Sequence, residues 1–219
     1  MNVTRFNDDA VTLVDLLGLL ARLHRAKDQA YGDAWRRRGE VIGIFANLAR
    51  KYDRLEIGLV ETRASPVEPL GDTVGDLCVY AGKYLTWLAE TQPDAFRSAS
   101  HGLDASAYEA KRGTVALERI FAVLGKCGGD PESIDGWGVE GAWERVQQAF
   151  GQLERALLAQ SDADRSAQEH LSWSEKVALA WRLTEASACL LLHLGRRDRG
   201  YIESLGREIE HAENGQESG

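Results

Sequence analysis

Cationic side chains lie close to two spaced pairs of carboxylates in the first third of the chain. Residues three or four positions apart share one face of a helix. Cations bind phosphate oxygens, and carboxylates supply the oxygen ligands that Mg²⁺ prefers. The residues that predict a site for a phosphate group and a divalent cation are Trp35, Arg36, Arg37, Arg38, Arg50 and Lys51, with the pairs Asp53/Glu56 and Asp72/Asp76.

The same residues are also compatible with a structural role. Charged residues at helical spacing often form a solvated face, and Trp35 could fill a gap in the core while the neighbouring arginines face water. Asp72 by itself is explained by the helix dipole, which favours an acidic residue in the first turn. Asp76 lies one turn further on, where that explanation is weaker. The Asp72/Asp76 pair is therefore the stronger indication of a metal site.

The composition is that of a globular protein with an acidic balance. The chain has 219 residues, of which 44% are hydrophobic and 27% charged, enough for one large domain or two small ones. Its net charge of −8 argues against general nucleic-acid binding, because that activity needs a basic surface. The cationic segment is more informative against this acidic background.

The cysteines and the apolar runs predict a cytoplasmic protein. Cys78, Cys127 and Cys189 lie in or beside apolar helical segments and lack the spacing of a zinc site, so we expect buried, reduced thiols. The N-terminus has no signal-peptide pattern. No apolar run approaches the ~18 residues of a membrane span, so we expect no membrane binding.

A helical repeat of apolar residues runs through nearly the whole chain, and the alternating runs typical of strands are missing. This pattern predicts an all-α helical bundle. Gly32 and Gly39 bracket a basic segment that we do not expect to be regular helix, and Pro66 and Pro69 interrupt a short link. The predicted helices cover residues 11–23, 40–61, 70–90, 106–124, 139–158 and 174–194.

The composition divides the predicted bundle into two halves. Residues 1–92 carry the candidate site, a polar linker covers 93–105, a helical second half packed on the first covers 106–205, and a flexible tail covers 206–219. The second half has no comparable motif. It is either a divergent repeat of the first half or a helical extension with ordinary solvated acids.

Three sequence blocks carry a resemblance to a known family. They are Tyr31-Gly32-Asp33-Ala34-Trp35-Arg36-Arg37-Arg38-Gly39, Lys51-Tyr52-Asp53-Arg54-Leu55, and Asp72-Thr73-Val74-Gly75-Asp76-Leu77. Over roughly residues 10–92 the chain resembles the nucleotide-modification-associated domain of phages and bacteria. That domain is similar to the all-α nucleoside triphosphate pyrophosphohydrolases of the MazG and dimeric dUTPase type.

The resemblance implies a Mg²⁺-dependent enzyme that cleaves a nucleoside triphosphate to a monophosphate and pyrophosphate. The implied catalytic residues are Asp53, Glu56 and Asp72, and the implied metal ligands are Asp53, Glu56, Glu68, Asp72 and Asp76. The implied substrate-binding residues are Lys27, Tyr31, Trp35, Arg36, Arg37, Arg38, Arg50 and Lys51. The family pattern is Glu-x-x-Glu followed by Glu-x-x-Asp, whereas this chain has Asp53-x-x-Glu56 and acidic pairs four residues apart.

That departure keeps other functions open. A catalytically degenerate helical module could bind a nucleotide without cleaving it, and an interaction module could use the aromatic second half. The resembling enzymes complete their site by dimerisation. We therefore expect either a homodimer or a single chain whose second half replaces the partner subunit.

Overall fold

A computed structural model describes residues 11–60, 70–99, 114–127, 131–158 and 171–214. The described part of the chain is helical and contains no strand, which confirms the predicted all-α class. Its α-helices are α1 (Leu13–Tyr31), α2 (Ala46–Val60), α3 (Leu70–Thr91), α4 (Pro93–Ala99), α5 (Thr114–Cys127), α6 (Pro131–Leu158), α7 (Trp173–Arg197) and α8 (Arg199–Asn214). A 3₁₀ helix (Gly32–Arg36) and a π-helix (Glu40–Phe45) lie between α1 and α2.

The central pair of helices is α3 and α7, one from each half of the chain. α3 also contacts α2, and α7 also contacts α6, so these helices form one continuous core. α7 starts at a capping box, in which the Ser172 hydroxyl accepts from the Glu175 N–H and the Glu175 carboxylate accepts from the Ser172 N–H. By length and composition α7 could cross a membrane, but 72% of its apolar window is buried against the other helices.

The basic segment after α1 is not regular α-helix, as predicted. Its 3₁₀ turn ends near Gly39, whose φ of 76° lies in the left-handed region that favours glycine. The following π-helix brings Gly43 against the Trp35 carbonyl oxygen, which would lie 2.9 Å from a Cβ atom at that position. The backbone therefore folds back on itself here, and this fold seats Trp35 in the core.

Two segments differ from the sequence-based expectations. Within the predicted linker, Pro93–Ala99 form α4, where Phe96 is fully buried and the helix packs on α7. Within the predicted flexible tail, α8 continues to Asn214 and buries Ile209. In both cases the burial of an apolar side chain outweighs a polar composition, and proline is well tolerated at the first position of a helix. Residues 100–105 and 215–219 lie outside the described residues.

The cysteines and aromatic residues behave as core. Cys78 and Cys189 are free and buried, as predicted, and burial raises the pKa of each thiol to about 12. The side chain of Cys127 lies outside the described residues. Tyr52 of α2 stacks on Trp143 and Phe150 of α6, with ring centroids 5.4 and 4.0 Å apart. These aromatic contacts join the two halves of the chain.

Candidate functional site

A cavity of about 600 Å³ lies between α1, α2, α3 and α8, with one wall formed by the 3₁₀ segment. α3 contributes side chains at helical spacing, so that Asp72, Asp76, Tyr80 and Lys83 all line the cavity. The first two of these were predicted to share a face. The structure places them on the same cavity wall.

An ion pair joins α2 and α3 at the wall of this cavity. The ammonium group of Lys51 pairs with the carboxylate of Asp76, and the lysine side chain is only 6% exposed. Further along the same interface Gly58 meets Leu70, so the two helices run antiparallel. Burying a lysine is costly unless an anion compensates its charge. Asp76 thus holds the ammonium group at the cavity wall.

α1 contributes a neutral histidine beside an aspartate. Burial and, to a smaller extent, the charge of Lys83 lower the pKa of His24 to about 4, against the opposing effect of Asp28. The Asp28 carboxylate lies 3.9 Å from both the His24 ring nitrogen and the Lys83 ammonium group. At neutral pH the imidazole is therefore uncharged and can either donate or accept a hydrogen bond.

Part of the cavity wall is aromatic and cationic. Trp35 is 9% exposed and belongs to the core cluster, and it also lines the cavity. The Lys83 ammonium group lies 5.2 Å from the centre of the Trp35 ring and 5.5 Å from that of Tyr80. Trp35 is therefore part of the core, and it also lines the cavity, where a role in ligand binding stays a prediction.

α8, from the second half of the chain, closes the remaining side. It contributes Tyr201, Leu205 and Glu208. The Glu208 carboxylate accepts from the Lys27 ammonium group at 3.0 Å, and both side chains are about half exposed. The second half of the chain therefore completes a cavity whose other walls come from the first half.

The charged groups that line the cavity balance one another. The cations are Lys27, Arg50, Lys51 and Lys83, and the carboxylates are Asp28, Asp72, Asp76 and Glu208. Fixed cations of this kind bind phosphate oxygens, whereas carboxylates bind divalent cations or accept hydrogen bonds from hydroxyl groups. The arrangement is suited to a ligand that carries both anionic and uncharged polar groups.

No family model, curated protein or solved structure matches the chain. The resemblance to the nucleotide-modification-associated domain and to the MazG-like enzymes therefore rests on the sequence blocks quoted above. It stays a prediction.

The cavity brings together about half of the residues singled out from the sequence. Those that line it are Lys27, Trp35, Arg50, Lys51, Asp72 and Asp76. Arg36 instead pairs with Glu90 at 2.6 Å, and Arg37 and Arg38 are exposed to solvent outside the cavity lining. Glu68 and the side chain of Tyr31 lie outside the described residues.

Asp53 and Glu56 do not join the other two carboxylates. Both are exposed and absent from the cavity lining. A helix turns by roughly 100° per residue, so Asp53 lies about 200° and Glu56 about 140° around α2 from Lys51, which faces the cavity. The expectation that these residues face Asp72 and Asp76 across the helix pair is therefore not met.

The donor set for a metal ion is correspondingly small. The described part of the chain contains no group of three or more His, Cys, Asp or Glu residues placed to hold a metal ion. Asp72 and Asp76 remain as two carboxylates one helical turn apart. Magnesium is commonly held by one or two carboxylates together with substrate phosphates and water. The two residues fit a magnesium ion that arrives with a phosphate, and they do not fit one held by protein ligands alone.

Seven polar or charged residues that line the cavity were not singled out as site residues: His24, Asp28, Asn47, Tyr80, Lys83, Tyr201 and Glu208. Lys83 continues the helical series of Asp72, Asp76 and Tyr80, which is a usable sequence signal. His24 lies three residues before Lys27 on the same face of α1. The two residues of α8 carry no comparable signal, because only tertiary packing brings them to the cavity.

Proposed function

We propose that this chain binds a nucleoside triphosphate in the cavity between α1, α2, α3 and α8, together with Mg²⁺, and hydrolyses it to a monophosphate and pyrophosphate. The observation that carries the proposal is the buried Lys51 beside Asp72 and Asp76. A fixed cation and two carboxylates one turn apart meet the needs of a phosphate group and its metal ion. The reaction itself is the one that the family resemblance implies.

The cations have the role of binding phosphate oxygens. Lys51 is held in place by Asp76, so its ammonium group can bind a phosphate oxygen without a large further loss of side-chain entropy. Arg50 is exposed at the rim, where its guanidinium group reaches Asn47 at 3.4 Å. We assign both residues to the phosphate chain. Arg50 would bind phosphate oxygens through its rigid fork of donors, and Lys51 would bind them as a compact positive charge.

Asp72 and Asp76 would hold the magnesium ion, which supplies neutralisation of phosphate charge and activation of water when bound. Asp72 is half-buried in the first turn of α3 and lines the cavity. A carboxylate there can orient a water molecule and accept its proton as general base. His24 is uncharged at neutral pH, so it can donate a hydrogen bond to the substrate without adding a positive charge to the cavity.

The test is pyrophosphate release from a panel of ribonucleoside and deoxyribonucleoside triphosphates, with Mg²⁺ and with a chelator. We expect release that depends on Mg²⁺ and falls by about 100-fold or more in Asp72→Asn, because the general base is lost. Asp53→Asn and Glu56→Gln are matched controls, since both carboxylates lie outside the cavity lining, and they should keep the wild-type rate. Loss of activity in the control variants alone would contradict this site.

A second function is favoured by one specific observation. Of the four predicted metal ligands that the structure describes, Asp72 and Asp76 line the cavity, and Asp53 and Glu56 do not. A chain with this donor set could bind a nucleotide without cleaving it. Calorimetric titration with the same panel separates the two functions, because a nucleotide that binds with Mg²⁺ and releases no pyrophosphate identifies a binding protein.

A further inference from the structure

The cavity follows α3 for about three turns, so its two ends lie beside different side chains. Asp72 and Asp76 line the end near the start of the helix, and Lys83 lines the other end. At a rise of about 1.5 Å per residue, Lys83 lies roughly 10 Å along the helix axis from Asp76 and about 16 Å from Asp72. A ligand whose phosphate groups and magnesium ion lie at the two aspartates therefore reaches Lys83 with another part of the molecule.

Three polar groups of different character meet at the Lys83 end of the cavity. The Asp28 carboxylate lies 3.9 Å from both the Lys83 ammonium group and a ring nitrogen of His24. The ammonium group only donates hydrogen bonds, the ionised carboxylate only accepts them, and the uncharged imidazole can do either. His24 is buried, and the side chains of Lys83 and Asp28 are only 12% and 20% exposed, so water has limited access to these groups.

Aromatic and aliphatic side chains provide the rest of the surface near these groups. The Lys83 ammonium group lies over the rings of Trp35 and Tyr80, and both rings line the cavity. Leu23 and Val79 line it as well. Sites for small organic ligands combine such an apolar lining with a few fixed polar groups that set the orientation of the ligand. The Lys83 end has this composition.

We infer that the Lys83 end of the cavity binds the nucleobase, and that Asp28 and Lys83 determine which base is bound. A phosphate group is poorly suited to this end, because it would lie close to the carboxylate of Asp28, and like charges placed together are unfavourable. This inference rests on the proposed function, because it takes the ligand to be a nucleotide. It assigns recognition of the base to residues of α1 and α3.

The two charged groups also indicate the class of base. Asp28 would accept a hydrogen bond from a ring N–H group, and Lys83 would donate one to a neighbouring carbonyl oxygen. Guanine, uracil and thymine match this pair, because each has a carbonyl oxygen directly beside a ring N–H. Adenine has no carbonyl group, and cytosine has no ring N–H on its pairing edge, so neither base meets both residues in this way.

The test compares the full-length wild-type chain with Asp28→Asn and Lys83→Met by calorimetric titration. The probes are the ribonucleoside and deoxyribonucleoside triphosphates of the five bases and inorganic triphosphate, each with Mg²⁺. We expect the wild-type chain to prefer a base with a carbonyl beside a ring N–H. Each substitution should weaken the preferred nucleotide by about 10- to 100-fold, because a hydrogen bond to a charged group is lost, and should have a much smaller effect on inorganic triphosphate.

Asp53→Asn is the matched control, because this carboxylate is exposed and lies outside the cavity lining, and it should keep the wild-type base preference. The base preference of the wild-type chain is a test that needs no variant, and a preference for adenine or cytosine overturns the inference. Nucleotide affinities that are unchanged in both cavity variants also overturn it, as does an equal loss for inorganic triphosphate. A wild-type chain that binds no nucleotide overturns the proposed function and this inference together.

Discussion

Lys51 and Asp76 form an ion pair across the antiparallel α2–α3 interface, with the lysine buried and the aspartate 37% exposed at the cavity. The sequence assigned one to phosphate and the other to a metal ion, and the structure joins them. Their contact makes the phosphate-binding and metal-binding roles interdependent, because each residue determines the electrostatic environment of the other.

A double-mutant cycle on this pair is the first prediction. Asp76→Asn leaves the buried ammonium group without this carboxylate and should lower the free energy of unfolding by about 1–3 kcal/mol. Lys51→Met removes the charge that needed compensation, so the double variant should recover part of the loss. We expect a coupling energy of roughly 0.5–3 kcal/mol from urea denaturation. Additive effects would mean that the two side chains do not interact in solution.

The second prediction compares arginines inside and outside the cavity. Arg50→Ala should weaken the preferred nucleoside triphosphate by roughly 1.5–3 kcal/mol, because a charge-assisted hydrogen bond to phosphate is lost. Arg37→Ala and Arg38→Ala are the matched controls, since these residues are exposed and lie outside the cavity lining. Calorimetric titration measures all three affinities. A large loss of affinity in the two controls, with no loss in Arg50→Ala, would indicate that the basic segment binds the phosphates and the cavity does not.

The third prediction concerns the contact between α3 and Tyr201. A methyl group on Gly71 would lie 2.6 Å from the tyrosine ring, so Gly71→Ala should displace that ring and destabilise the fold by about 1–3 kcal/mol. Gly18→Ala in α1 is the control, because nothing lies within 4 Å of its Cβ position, and it should stabilise by about 0.5–1 kcal/mol. Thermal and urea denaturation measure both changes. Equal effects of the two substitutions would contradict the close packing of Tyr201.

Part of this site follows from the sequence, and the reason is local geometry. The shared face of Asp72 and Asp76 depends only on their spacing within one helix. Spacing fixes the relative direction of two side chains but not which direction faces the interior, and this is why Asp53 and Glu56 were misplaced. Tyr201 reaches the cavity through the packing of α8, which no local pattern encodes.

The limits of the fold prediction have a related cause. Helical periodicity over long segments gave the all-α class, because amphipathic faces repeat many times. A short helix offers few repeats, and Phe96 is the one large apolar residue of the seven-residue α4, so its burial became evident only once the neighbouring helices were in place. The 16-residue α8 does carry a helical repeat in Tyr201, Leu205 and Ile209, but the predicted tail divided this repeat at residue 206.

The fourth prediction is a dependence of stability on pH through His24. Its pKa is lowered to about 4 in the folded chain, first by burial and then by Lys83, against about 6.5 in an unfolded chain. As pH falls below about 6.5, the unfolded state binds a proton that the folded state does not bind until about pH 4. Stability should therefore be fully present above pH 6.5 and fall by up to about 3 kcal/mol towards pH 4.

Urea denaturation at a series of pH values measures this loss, and His24→Gln should flatten the profile between pH 6.5 and 4 relative to the wild type. Lys83→Met tests the cause, because removing the neighbouring charge should raise the pKa of His24 in a nuclear magnetic resonance titration. A His24 resonance that titrates near its ordinary value in the wild-type chain would exclude the predicted profile.

The last prediction concerns the role of the second half as a substitute for a partner subunit. α7 packs along α3, whose buried face includes Val74, Cys78 and Leu85, and α8 closes the cavity. A chain that ends at residue 105 loses both helices and exposes this apolar face to water, which is unfavourable in proportion to its area. We expect this truncation to aggregate or self-associate and to lose nucleotide binding, whereas the full-length chain should keep both its solubility and its cavity. Light scattering with a parallel nucleotide titration measures these properties, and a folded, monomeric fragment of residues 1–105 that binds nucleotide would show that the first half is sufficient alone.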